Sequence, residues 1–321
     1  MFRLFISMFF KSINSPYKNF KEKSLKRFIS DMNLISELSS KKKFFYYWRT
    51  KLQSQITNEK DQIKKIKTIK KENGLILKVN TVHSFRTYSN NKYITSYENF
   101  HYIFYISHFK ITNMAIAEHT PEKYKKLLFC GSKLCKDYKT TSTWKNLNSI
   151  IDDLFNNYSS YLQKTILNTS FRTEKLYNRA AAVNYAEKYS LEYNTDYKNF
   201  NNNGGDCTNF ISQCLHAGSI PLSNLWRPYT FPWIRVNELY YFLIRNKYAV
   251  EVPNLSSLNI GDIIQFFSNS KSFFAHSGII TNILDNGEIL YSCHSYDKLN
   301  YPLSEIYPIL YSRLRLIKIT F

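Results

Sequence analysis

The stretch GGDCTNFISQCLHAG, residues 204–218, sets a cysteine behind a glycine pair and an acid, at what reads as the opening of a helix. Phe210, Ile211, Cys214 and Leu215 form the apolar stripe of that helix, and Asp206 is expected to cap it. Cys207 then takes the first helical position, off the stripe, while Cys214 lies on it. There, unpaired N–H groups and the helix dipole favour an anion and lower a thiol's pKa. The two glycines permit positive φ and close approach, and the N–H groups that open the helix can receive an oxyanion. The competing reading is a small buried cysteine after a turn.

A thiol nucleophile needs a base, and the base needs an orienting partner. Three strand-like segments follow, LNIGDIIQFF (258–267), FFAHSGIITNI (273–283) and GEILYSCHSYDKLN (287–300), with His276 opening the second and His294 ending the third. Leu290, Ser292 and His294 alternate against Ile289, Tyr291 and Cys293. Antiparallel neighbours bring His276 beside His294 only in a suitable register, which the pattern leaves open.

The surrounding elements are expected to position these groups. NRAAAVNYAEKYSLEYN (178–194) is an alanine-rich helix former, and the loop DYKNFNNNGGD lacks the arrangement of a calcium loop. Trp226 and Trp233 read as core or lid aromatics in preference to groove lining. Ahead of this unit, apolar residues at spacings of three and four over 24–38 predict a helix, and a second helical run starts near Phe44. It continues into KDQIKKIKTIKKE (60–72), where Ile63, Ile66 and Ile69 recur every third residue, and Asn73-Gly74 stops it. The period then falls to two in LILKVNTVHSFRTY (75–88), NFHYIFYISHFKI (99–111) and ITNMAIAEH (111–119), which predict a small antiparallel sheet. His83, His101 and His108 lie in it without metal-ligand spacing and read as ordinary sheet residues. Residues 145–167 return to helix. With the boundary near Ser170, the chain divides into a basic, mainly helical segment (1–72), a sheet-plus-helix accessory domain (73–170) and a third unit (171–321).

Charge separates the same parts. Of 44 basic and 24 acidic residues, 30 and 12 fall in positions 1–170, a net +18 against +2 for the remainder. A basic unit favours anionic polymers or membrane surfaces, and no helix-turn-helix, zinc or RRM signature points to nucleic acid. Hydrophobic residues are 44% of the 321, enough to rule out a disordered chain. Five cysteines without framework spacing argue against a disulfide-stapled module. Cys207 and Cys214 would stand about 10.5 Å apart along a helix, beyond disulfide reach. The absence of any C-x-x-C pair disfavours a zinc site built from Cys207, Cys214, Cys293 and histidines. The apolar patch at 4–10 is at the short limit for a signal peptide, with no small-residue cleavage site behind it. No stretch approaches the roughly 20 apolar residues of a transmembrane helix.

The pieces YNRAAAVNYAEKYS, GGDCTNFISQCLHAGSIPL, PWIRVNELYYFL, GDIIQF, AHSGIIT and LYSCHSYDKLNYPLS cover nearly all of 177–304. In that order they resemble the putative amidase domain family of bacterial proteins, a branch of the papain-like cysteine hydrolases near the NlpC/P60 and CHAP peptidoglycan hydrolases. The resemblance implies an α+β fold with the cysteine helix packed on an antiparallel sheet, preceded by a smaller helix-plus-sheet accessory region. It implies a Cys207 nucleophile, a His276 base, and His294 as orienting residue, with Ser292 and Asp297 as further candidates and Asp206 and Asn209 in support. It also implies a thioester acyl-enzyme needing no metal or organic cofactor, an amide or peptide substrate such as peptidoglycan, and a cell-envelope or extracellular setting. The alternative function is a catalytically silent papain-like module that docks on an anionic polymer, such as a wall teichoic acid, through residues 1–170.

Overall fold

The computed structural model describes residues 1–54, 56–71, 74–89, 91–118, 143–162, 176–201 and 203–321. Cys130, Cys135 and the expected helix beyond Leu162 fall outside them. The chain forms two compact units, Met1–Phe155 and Asn156–Phe321. Among the described residues no helix is long and apolar enough to cross a membrane.

In the first unit the helix Phe2–Ile13 buries Ile6, Phe9 and Phe10. The helix expected over 24–38 is interrupted. A short turn, Glu22–Leu25, precedes it, and Asp31 opens a new helix, Met32–Lys51, by accepting from the N–H groups of Asn33 and Leu34. Such a cap contributes about 1 kcal/mol. Between the two, Phe28 and Ser30 exchange backbone hydrogen bonds with Ile111, so the segment is held by pairing with the sheet and not by helical bonds.

The sheet has four antiparallel strands in sequence order: β1 (Ile56–Lys71), β2 (Gly74–Ser89), β3 (Lys92–Ser107) and β4 (Lys110–Ile116). β1 corrects the helix expected over 60–72. A register shift between Ile63 and Lys65 adds a residue to the strand. Ile63 and Ile66, three apart, therefore face Thr81 and Val79 on one side of the sheet, while Ile69 faces Ile76 on the other. A β-bulge thus imitates a helical period. Gly74 starts β2 at φ +145, where a Cβ would lie 2.3 Å from the Ile106 carbonyl oxygen, so only glycine fits. The N-terminal helices and the segment between them cover one face, packing Phe9, Phe10, Phe28 and Ile35 on Leu77, Val79, Tyr102 and Phe104.

His83 is more than an ordinary sheet residue. Its ring faces Asp61 at 3.3 Å and Glu59 at 3.6 Å, and Glu59 also meets Lys42 and Arg49 from the helix Met32–Lys51 at 3.8 and 3.9 Å. Burial disfavours the imidazolium, but the charge and hydrogen bond of Asp61, and then those of Glu59, outweigh it and raise His83 to about 10. Burial likewise works against the Glu59 carboxylate, and the His83 hydrogen bond with the Arg49, His83 and Lys42 charges overcomes it, holding Glu59 well below the usual range. The stabilisation from His83 is therefore complete below its unfolded value of about 6.5 and is lost as pH rises through about 10. Thermal unfolding of the wild type should weaken progressively across that window. His83→Gln should lower stability by about 2 kcal/mol at pH 7 and flatten this alkaline loss. An alkaline profile indifferent to the substitution would show that the cluster carries no such linkage.

The second unit holds the helices Arg179–Tyr189, Cys207–Ala217, Phe231–Ile234 and Val236–Arg245. Its strands are β5 (Ala249–Val252), β6 (Ile263–Ser268), β7 (Phe273–Ile283), β8 (Ile289–Cys293), β9 (Lys298–Pro302) and β10 (Leu314–Ile319). They lie in the order β9-β8-β7-β6-β10-β5, every pair antiparallel. The mixed α+β class follows. The core joins Phe210, Ile211 and Cys214 of the cysteine helix to Ile263, Ile279 and Ile317 of the sheet and to Trp226 and Trp233. Both tryptophans are fully buried, and their indole N–H groups donate to Ser212 and Asn209. Asp262 of GDIIQF is structural: it binds the Arg179 guanidinium at 2.7 Å and accepts from the N–H groups of Asn259 and Ile319.

Candidate active site

Gly204 and Gly205 take φ of +97 and +107, which the sequence pattern anticipated. The loop they make lies against the turn after β8. The Asp206 N–H donates to Ser295 Oγ at 2.6 Å, and a Cβ on Gly205 would stand 3.1 Å from the same hydroxyl.

Asp206 sits at the helix N-cap but makes no side-chain cap. Its carboxylate is used elsewhere, accepting from the Phe200 N–H at 2.8 Å and from Asn209 Nδ2 at 3.0 Å, and facing His294 Nδ1 at 2.7 Å. The expected capping role is thereby corrected. The first amides of the helix keep their N–H groups directed out of its end, with no side-chain carboxylate across them.

Cys207 opens the helix with 6% of its surface exposed. Strand geometry explains what faces it. Ile280 of β7 bonds through both its N–H and its carbonyl to residues 261 and 262 on the β6 side, so by two-residue alternation the Ser277 N–H turns toward β8. β8 stops at Cys293, short of that point. The Ser277 backbone amide favours the Cys207 thiolate, and the thiol meets the Thr208 hydroxyl at 3.8 Å. Burial pushes the thiol up, and the Thr208 hydroxyl with the Ser277 and Thr208 amides offsets only part of this. The helix-start expectation of a depressed thiol is reversed by desolvation.

His276 immediately precedes the residue whose amide meets the thiol. It pairs with Phe266 across β6 and β7, is 7% exposed, and has Phe266 at 5.4 Å and Tyr311 stacked at 6.3 Å. Alternation turns its side chain to the face opposite Ile279, which packs with the cysteine helix. His276 thus precedes Ser277, whose backbone favours the Cys207 thiolate, while its own ring packs with Phe266 and Tyr311.

His294 is drawn elsewhere. Its Nδ1 meets Asp206, its Nε2 meets the Tyr189 carbonyl at 2.8 Å, and its ring is stacked between Tyr193 at 3.9 Å and Phe210 at 4.0 Å. Both ring nitrogens are occupied away from His276. Ser292 pairs with Ile279 and accepts from the Asn300 N–H at 3.1 Å. Asp297 accepts from Tyr193 at 2.7 Å and from the Ser295 N–H at 3.1 Å, within the same cluster as His294. Asn209 bridges Asp206, the Lys198 carbonyl and the Trp233 indole. The structure thus brings Asp206, Asn209, His294 and Asp297 together behind the glycine loop, with Cys207 at the helix start and His276 the fourth residue of β7. Sequence reasoning missed Tyr193, Ser295 and the Ser277 amide. Nothing marks Tyr193 among 26 tyrosines, and a backbone donor has no sequence signature. Among the described residues no group of three or more His, Cys, Asp or Glu side chains is arranged to hold a metal.

Residues 176–315 match the family model described as "Putative amidase domain". The chain is 32% identical over 150 residues to the uncharacterized protein YjcM of Bacillus subtilis (strain 168), covering 44% of this chain and 35% of that protein. It is 35% identical over 135 residues to the uncharacterized protein YhbB of the same organism, covering 38% and 42%. The matches thus span about two fifths or less of those relatives. No solved structure matches the chain.

Proposed function

We propose that the second unit is a cysteine-dependent amide hydrolase in which Cys207 is the nucleophile and His276 the base. The observation that carries this reading is the thiol itself. It lies at a helix start left open by its own N-cap residue, against the amide next to His276, in the segment that matches the amidase family.

In this mechanism the resting thiol is protonated, because burial raises it. As substrate displaces solvent from the thiol and the His276 ring swings to the cysteine-helix side of β7, the Cys207 proton passes to the His276 imidazole while sulfur attacks the amide carbon. The tetrahedral oxyanion is received by the N–H groups at the helix start. His276 then protonates the departing amine, the C–N bond breaks, and a thioester remains on Cys207. A water, deprotonated by His276, hydrolyses the thioester and restores the thiol. In the free protein Phe266 and Tyr311 pack against the His276 ring. Peptide amides, peptidoglycan cross-links among them, are the substrate class.

Two measurements on the full chain test this. The rate of Cys207 alkylation by iodoacetamide, read by peptide mass with Cys207→Ala as the blank, should stay low near neutral pH and rise with a midpoint above the free value of about 8.5. Single-turnover acylation by peptide p-nitroanilides should place the acyl mass on Cys207 and fall about 100-fold or more in His276→Ala. Acylation at the wild-type rate in His276→Ala, or an acyl group on another residue, would sink the assignment.

A further inference from the structure

Ser277 has a hydroxyl with nothing to bond. Its side chain is fully buried, and among the described residues its Oγ has no hydrogen-bond partner. Such a group gives up its hydration on folding and regains nothing, which costs stability. Alanine would fill the same place on the strand without that cost. The hydroxyls around it are paired: Ser212 of the cysteine helix donates to the Trp233 carbonyl at 2.9 Å, and Thr281 of β7 to the Leu290 carbonyl at 3.4 Å. Gln265, directly across from Ser277 on β6, donates to the Val236 carbonyl at 2.7 Å and accepts from Arg315 at 2.8 Å.

Position gives the hydroxyl a use. Ser277 and Ile279 share a face by alternation, and Ile279 packs with Phe210, Ile211 and Cys214 of the cysteine helix. The Ser277 side chain thus stands on the cysteine-helix side of the sheet, and its own amide favours the Cys207 thiolate. Bond lengths and staggered rotamers put a serine Oγ about 3 Å from its own backbone nitrogen. A sulfur on which the N–H acts is therefore within reach of the O–H after a turn about one bond. In the resting protein the thiol is protonated, and a neutral sulfur is a weak acceptor, so the hydroxyl gains little by turning. A thiolate accepts strongly.

Thr208 already serves the sulfur with its hydroxyl and its amide, while Asp206, the charged group that acts on the thiol and the one that His294 faces, disfavours ionisation. From β7 the titratable neighbour is His276, whose ring packs with Phe266 and Tyr311 on the opposite face. From β6 the side chain facing Ser277 is the neutral Gln265.

We propose that Ser277 is a further catalytic residue: its hydroxyl turns onto the Cys207 sulfur as the proton leaves, and donates to the thiolate. No bond to Ser277 forms or breaks, and the thiol proton goes to His276 as above. The proposal rests on Cys207 as the nucleophile.

The test uses the full chain. In Ser277→Ala the pH midpoint of Cys207 alkylation by iodoacetamide should rise by about 1 unit, and single-turnover acylation by peptide p-nitroanilides should slow about tenfold. The thermal midpoint should be equal or higher, because an unpaired hydroxyl is gone. Ser277→Thr keeps the hydroxyl and should hold the wild-type alkylation midpoint. Ser277→Val has the shape of threonine without the hydroxyl and should show the alanine shift, so that pair carries the test if Ser277→Ala does not fold. Alkylation needs no substrate, so its midpoint reads Ser277 even where the anilides are not turned over and the amidase reading fails. An alkylation midpoint that stays at the wild-type value in the Ala and Val variants would overturn the proposal. With it, a lowered thermal midpoint would assign Ser277 to packing, and slower acylation would place the hydroxyl on the substrate instead of the sulfur.

Discussion

Cys207→Ala should abolish amide turnover, lowering kcat by about 10⁴-fold or more, while the protein remains folded. The size follows from what is removed. Without the thiol there is no acyl-enzyme, and only the helix-start donors and substrate binding are left, which in nucleophile-dependent hydrolases retain a small residue of the rate. Stability should change little, because loss of one buried sulfur costs about 1 kcal/mol once the side chain is that short. Cys214 is the matched control. It too is buried, and desolvation raises its thiol well above the usual range, but it points into the core with Phe210, Ile211 and Trp233. Cys214→Ala should therefore cost a similar amount of stability and leave kcat untouched. Steady-state kinetics with thermal unfolding on both variants separates a chemical role from a packing role. Turnover that persists in Cys207→Ala would end the cysteine mechanism, whatever becomes of the fold.

The legible parts of the chain were those in which one local pattern had one physical solution. The apolar stripe of 210–215 could only be a helix with Cys207 at its start, and the period-two segments 75–88, 273–283 and 287–300 formed strands. Where two local solutions compete, the pattern misleads. Ile63, Ile66 and Ile69 have a helical spacing, yet a bulge in β1 satisfies the same spacing on a sheet, and pairing with β2 along nearly its whole length decides between them. Asp206 offers the other case. A carboxylate before a helix caps it unless a better partner arrives, and here the partner is His294, 88 residues away. Long-range pairing of that kind leaves no mark in spacing. The same holds for the Cys207 environment, where the helix dipole is a local property but the burial that outweighs it comes only with the folded chain.

His294→Ala should destabilise the protein by about 3–5 kcal/mol, the expected cost of a ring-sized cavity together with a buried carboxylate oxygen left without its donor. The Asp206 carboxylate and the His294 ring are each only 1% exposed in their side chains and stand 2.7 Å apart. With the ring gone, the carboxylate keeps the Phe200 and Asn209 donors but loses the one on its other oxygen. The space between Tyr193 and Phe210 is left as a cavity the width of a ring. Asp206→Asn should be milder, about 1–2 kcal/mol, because the amide still accepts from Phe200 and can donate to His294 Nδ1 while Nε2 donates to the Tyr189 carbonyl. The two substitutions share one contact, so their effects should not add, and a double-mutant cycle should give a coupling of about 1–3 kcal/mol. The functional consequence is distinct from the stability loss. Asp206 immediately precedes Cys207, and its carboxylate and amide tie the glycine loop to Phe200, Asn209 and Ser295. Loosening that loop displaces the thiol from the Ser277 amide without touching substrate, so kcat should fall more than KM rises, measured well below the unfolding midpoint. A His294→Ala protein as stable as the wild type, or one that is destabilised but turns over normally when folded, would remove His294 from the support of the nucleophile and leave it a core residue only.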